Sequence, residues 1–173
     1  NAGVKAAIIG FFLIALLLIL WYRLPGLIAV LALSFYTAIL LAIFKLLPVT
    51  LTSAGIGGFI ISLGMAVDAN VLIFERMKEE IKKGHSISDG IHDGFKRAWS
   101  SVRDSNTSSI ITSIILFWLG TPLIKGFALT FGLGVLVSMF SAITVSRIFL
   151  FALGIKKSNS LTRFLFSSGF TRT

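Results

Sequence analysis

The sequence predicts an all-α integral membrane protein, a bundle of five hydrophobic helices with an amphipathic helix on the cytoplasmic surface. Two observations carry this. Hydrophobic residues make up 55% of the 173 residues and charged residues only 13%, whereas a water-soluble domain carries about 25% charged; mean hydropathy is +0.94. The apolar residues also gather into runs near the ~20 residues of helix that a bilayer core requires, separated by short polar or charged stretches. A soluble core of this size could not hide so much apolar surface, and a bilayer accepts it.

The elements follow in order. The first run covers about 6–22, ends at Arg23 and is followed by a turn at Pro25-Gly26. The second covers about 27–47, with Lys45 near its end and Pro48 after it. The third covers about 56–74. A charged stretch then runs from Glu75 to Arg103, interrupted by Gly84 and Ser86. Within it Ile91, Phe95, Trp99 and Val102 recur at helical spacing, which predicts an amphipathic helix over about 89–102, on the inner surface or against the bundle. The fourth run, about 105–119, is the shortest and most polar and is closed by Thr121-Pro122. The fifth covers about 127–153, and residues 156–173 form a basic, serine-rich tail.

An odd number of spans puts the two ends on opposite sides. Of the 16 Lys and Arg residues, only Lys5, Lys45 and Lys125 fall on one side; the rest fall on the other. The positive-inside rule then places the N-terminus outside and the C-terminus and tail in the cytoplasm of a multi-pass plasma-membrane protein. The same distribution accounts for the net charge of +9 without a nucleic-acid partner. Trp21 and Tyr22 fall at the inner interface and Trp118 near the outer one, as an aromatic belt against lipid requires. The chain begins with Asn1 rather than Met, as expected of a piece of a longer protein.

Asp68 is the sharpest feature. It lies about two turns from the cytoplasmic end of the third span, where an ionised carboxylate costs at least ~2.5 kcal/mol. Gly57, Gly64, Asp68 and Glu75 fall within about 20° of one helix stripe. Small residues let a neighbouring helix approach closely, so this stripe is expected to pack on protein, with Gly57 and Gly64 as packing positions. Asn70 is rotated by about 200° from the stripe, and either bonds a different neighbour or shapes the helix. No Lys or Arg lies deep in any span. Asp68 is therefore either a proton-relay carboxyl, held neutral or balanced by a partner's cation, or a neutral hydrogen-bonded residue holding helices together. Thr107, Ser108 and Thr112 of the fourth span are candidate polar lining for it. Asp104 is either a second relay carboxylate or the N-cap of the fourth span. Gly134 and Ser138, with Ser141 and Ala142, make a small-residue packing seam on the fifth span.

Covalent chemistry has no foothold. There is no cysteine, no nucleophile elbow and no phosphate-binding glycine loop. His85 and His92 lie in the cytoplasmic stretch with no carboxylate cluster at ligand spacing, so neither metal nor cofactor is expected and the protein reads as no enzyme.

The string Gly64-Met65-Ala66-Val67-Asp68-Ala69-Asn70-Val71-Leu72-Ile73-Phe74-Glu75-Arg76 resembles the signature of the SecD family of protein-export subunits. The likeness continues through Ile91-His92-Asp93-Gly94, Asp104-Ser105-Asn106 and Ile124-Lys125-Gly126-Phe127-Ala128 to Arg147. Two departures stand out: Ser105 replaces the family's usual Ala, and Pro122-Leu123 stands where Gly-Pro is usual. The resemblance implies a resistance-nodulation-division-type six-helix half, of which this chain would hold helices two to six. It implies action with SecF beside the Sec translocon channel, using the proton-motive force to draw a translocating polypeptide outward. It also implies that Asp68 is the proton-coupling aspartate, with the missing cation on SecF; Asn70 and Asp104 stand as further proton-coupling candidates. On the residues alone, a proton-driven exporter of small molecules or lipids and a structural membrane scaffold remain open alternatives.

Overall fold

A chain surrounded by lipid must satisfy every backbone N–H and C=O internally, which long helices do. The computed structural model describes residues 2–146 and 148, and the described residues form helices joined by short turns. In order they are α1 (Ala2–Leu46), α2 (Ser53–Lys82), α3 (Ile87–Leu119), α4 (Pro122–Phe140) and a π-helical segment at Ser141–Ser146. The far end of the fifth predicted span, Arg147 and the tail at 156–173 lie outside the described residues.

α1 consists of two helical arms joined at Arg23, whose backbone (φ 51°, ψ −115°) leaves the helix. Pro25 has no N–H to continue the ladder, and Gly26 sits against the Leu18 backbone carbonyl so closely that no Cβ would fit. In a straight helix residues eight apart stand about 12 Å from each other, so the chain folds back at this point. The runs predicted at 6–22 and 27–47 are therefore the two arms of one element. Among the described residues, three helices are long and apolar enough to cross a membrane: Ile8–Leu46, Ser53–Lys82 and Pro122–Ser146.

α3 departs from expectation. The amphipathic helix predicted at 89–102 and the span predicted at 105–119 form one uninterrupted helix of 33 residues. The polar residues at the expected break do not end it, because their hydroxyls bond back into the helix: Thr107 donates to Arg103 O at 2.7 Å, Ser109 to Ser105 O at 3.2 Å and Thr112 to Ser108 O at 2.9 Å. The true start lies at Ser86, whose hydroxyl accepts from Asp89 N at 3.1 Å. Gly84, at φ +97°, takes the left-handed turn between α2 and α3 that a side chain would strain. α4 also begins earlier than predicted, at Pro122, which needs no N–H partner in a first turn.

α2 is the central element and packs on α1, α3 and α4. Glycines set the closest approaches. Gly94 of α3 meets the α2 backbone at Met77, with no room for a side chain, and Gly58 of α2 meets the α4 backbone at Phe127. One apolar cluster, at the Arg23 end, joins Leu18, Tyr22 and Ile28 of α1 to Phe74, Met77, Ile91 and Ala98. A second joins Leu33, Tyr36, Leu40 and Phe44 to Leu63, Ala66 and Val137. Outside these clusters large apolar side chains stand exposed, among them Phe12, Leu20, Ile111, Ile114, Trp118 and Leu119. So much exposed apolar surface is what a lipid-facing exterior requires.

Candidate functional site

Asp68 lies within the apolar part of α2, and its side chain is exposed. Gly57 and Gly64 of the same stripe have nothing within 4 Å of a would-be Cβ. Among the described residues the stripe is thus an uncovered face of α2, so the packing on protein expected at Gly57 and Gly64 is not made by these helices. The physical reason is rotational. α4 docks one residue round, where Gly58 and Ser62 are fully buried, and that leaves Gly57 and Gly64 pointing elsewhere.

Beside Asp68 runs a groove of about 110 Å³ between α2 and α3, lined by Met65, Asp68, Ala69 and Leu72 from one helix and Ser101, Val102, Ser105 and Asn106 from the other. The groove forms where the α2–α3 hairpin, tight at Gly94 and Met77, opens toward smaller side chains. Among the described residues Asp68 makes no ion pair. Asn106 is only 4% exposed, and its Nδ2 has no hydrogen-bond partner among the described residues. Nothing in the sequence singled Asn106 out; its place in the Asp104-Ser105-Asn106 string was the one available signal.

The other predicted site residues divide. Asn70 is buried on the far side of α2, where Nδ2 donates to Ala66 O at 2.9 Å and Oδ1 accepts from the Ser146 hydroxyl of the π-helical segment. It ties α2 to that segment and does not share the groove. Asp104 is exposed, pairs with Arg103 Nε at 3.0 Å and sits in mid-helix, so it caps nothing and does not line the groove. Thr107, Ser108 and Thr112 are exposed, and the groove is lined instead by Ser101, Ser105 and Asn106. Ser108 and Thr112 continue the Ser101–Ser105 stripe along α3, while Thr107 is rotated about 200° from Ser105. Gly134 lies against Ser62 and Tyr36, and a Cβ there would come within 3.0 Å of the Tyr36 hydroxyl. Ser138 is buried and donates to Val135 O at 2.8 Å.

The α2–α3 turn gathers charge that sequence spacing concealed. Glu80 has a buried side chain and bonds Lys83 Nζ at 2.8 Å and the Arg97 guanidinium. His85 Nδ1 stands 3.5 Å from Glu80 and 3.6 Å from Asp93, so the fold brings to His85 two carboxylates that ligand spacing in the sequence did not show. Beyond the apolar run of α2, the hydrogen bonds from Lys83 and then Arg97 hold the Glu80 carboxyl below the usual glutamate range.

The chain matches the MMPL family over residues 2–168. It is 55% identical over 149 residues to the protein translocase subunit SecD of Thermobaculum terrenum, covering 84% of this chain and 29% of that protein. It is 54% identical over 152 residues to SecD of Dehalococcoides mccartyi, covering 85% and 34% respectively. Its fold is similar to the crystal structure of SecDF, a translocon-associated membrane protein from Thermus thermophilus, with a TM-score of 0.85, 37% identity, and coverage of 88% of this chain and 21% of that one. The chain spans about a third of the length of the curated relatives it matches. Matched along nearly its whole length, this membrane helical bundle belongs to the MMPL family and is similar, through most of its residues, to SecD.

Proposed function

We propose that this chain is the membrane bundle of a subunit that uses the proton-motive force to promote export of polypeptides through the Sec channel, in company with a SecF-type partner. The observation that carries the reading is the state of Asp68: a carboxyl group within an apolar helix, on a face of α2 that the described residues leave uncovered, with no cation paired to it among them. An ionised Asp68 needs a cation or water at that depth, and a protonated Asp68 does not. Gain and loss of one proton therefore change which neighbour the open face of α2 tolerates, and that difference moves a helix-packing equilibrium. The cation would come from the partner. The names of the relatives, protein translocase subunit SecD and SecDF, support the export context.

In this reading the two arms of α1, α2, the C-terminal half of α3 and α4 with its continuation make five crossings of the inner membrane. The N-terminal half of α3 lies at the cytoplasmic face, the N-terminus outside and the C-terminus in the cytoplasm. The distribution of Lys and Arg supports this orientation. The test is Asp68→Asn in the full-length protein, which fixes the neutral form without changing shape. Gradient-stimulated export is expected to fall to the level without the subunit while the complex still assembles. Unchanged export with normal assembly would overturn the proposal.

A further inference from the structure

Buried polar side chains among the described residues are bonded almost throughout. Ser62 bonds Phe59 O and Tyr36, Thr130 bonds Gly55 O across to α2, Ser141 bonds Ala32 O, and Asn70 bonds Ser146. Asn106 Nδ2 is the one buried side-chain nitrogen or oxygen among them left without a partner. An unmet amide N–H removed from water costs on the order of 1–3 kcal/mol, and native folds retain few such groups without a use for them. Asn106 is among the residues that line the same groove as Asp68, on the α3 side, with Nδ2 itself buried behind the groove wall. The groove's volume of about 110 Å³ has room for a few waters at roughly 30 Å³ each.

We infer that Asn106 is the positioning residue for Asp68: its side-chain amide donates to the Asp68 carboxyl, directly or through one water, when that side chain turns into the groove. The inference deepens the proton-coupling reading and rests on it for its functional consequence, though not for the bond itself. Chemically, an amide N–H suits this task. It offers a hydrogen bond to either oxygen of the carboxyl group in both protonation states, yet brings no charge of its own. It therefore holds the geometry of Asp68 through a proton cycle without acting as its counter-ion. Ser101 and Ser105 line the same groove and supply hydroxyls for a bridging water. Asn106 thus acts through Asp68 and is not itself the proton carrier.

The test uses the full-length protein in liposomes with its partner subunit, comparing Asn106→Leu, Asn106→Ala and Asn106→Gln with the parent. The readout is the carboxyl C=O band in pH-difference infrared spectra, assigned to Asp68 by its disappearance in Asp68→Asn. Both apolar variants are expected to move that band to higher wavenumber and to lower gradient-driven export severalfold. Asn106→Gln is expected to keep the parent band and most of the activity, and thermal stability is expected to hold or rise in Asn106→Leu. An Asp68 band unmoved in both apolar variants would overturn the inference even if export fell. A moved band in a protein whose export ignores Asp68→Asn would leave the positioning role standing and sink the proton-coupling reading.

Discussion

Gly57 and Gly58 are neighbours in α2 with opposite surroundings, and replacing each by alanine separates packing from propensity. A Cβ at Gly58 would lie 2.5 Å from Thr130 Oγ1, 2.6 Å from Phe127 O and 3.1 Å from Phe131 N. Phe127 O is backbone and cannot swing aside, so α4 must recede by roughly 0.8 Å to reach the 3.4 Å of ordinary contact. That movement strains the Thr130 hydroxyl bond to Gly55 O, now 2.8 Å. Overpacking costs about 1–3 kcal/mol and the weakened buried bond about 1 kcal/mol, offset by about 1 kcal/mol of better helix propensity for Ala. Gly58→Ala is thus expected to lose about 1–3 kcal/mol. Gly57→Ala meets nothing within 4 Å and is expected to gain up to about 1 kcal/mol. Reversible unfolding of the full-length chain in mixed micelles, followed by circular dichroism without the partner subunit, reads both. Equal destabilisation by the two variants, or a neutral Gly58→Ala, would refute the assignment of α2's faces.

Two further outcomes follow from the geometry. Ser62 spends its hydroxyl proton on Phe59 O at 2.8 Å, so in the 2.7 Å Tyr36–Ser62 bond the tyrosine donates; Tyr36→Phe should cost about 1 kcal/mol in the same unfolding assay, and Ser62→Ala more, because it strands a buried phenol. Glu80 is held ionised by Lys83 and Arg97, its carboxyl below the usual range. Its contribution is complete above the unfolded-state value of about 4.3 and is lost as pH falls through the lower folded-state value. Melting temperature measured from pH 7 down to pH 3 should fall more steeply for the parent than for Glu80→Gln, and parallel curves would contradict that role.

Much of the outline was legible in the residues because the bilayer imposes a simple filter. Runs such as 27–47 and 56–74 must be helical, since lipid offers no partner for open backbone, and Asp68 stands out because so few reasons keep a carboxylate in such a run. Turns at Pro25-Gly26, Gly84 and Pro122 were also readable, since each depends on local backbone chemistry. The junction near Asp104 was misread. Polar residues there looked like a helix boundary, but Ser and Thr hydroxyls satisfy themselves within a continuing helix.

By itself the sequence determined that this chain belongs in a membrane and roughly where its apolar helices lie, and it marked Asp68 as the carboxyl group inside one of them. Only the tertiary structure decided which face of α2 is covered. A stripe of glycines permits close approach but does not compel it, and α4 docks on Gly58 while Gly57, Gly64 and Asp68 stay open among the described residues. The same holds for Asn106. An asparagine in a polar string says nothing of its bonds until α2 closes over it and leaves its amide nitrogen without a partner among the described residues, at the groove that Asp68 also lines. Periodicity sets the angles of side chains around one helix, but the rotation of that helix against its neighbours is fixed by contacts far apart in the chain.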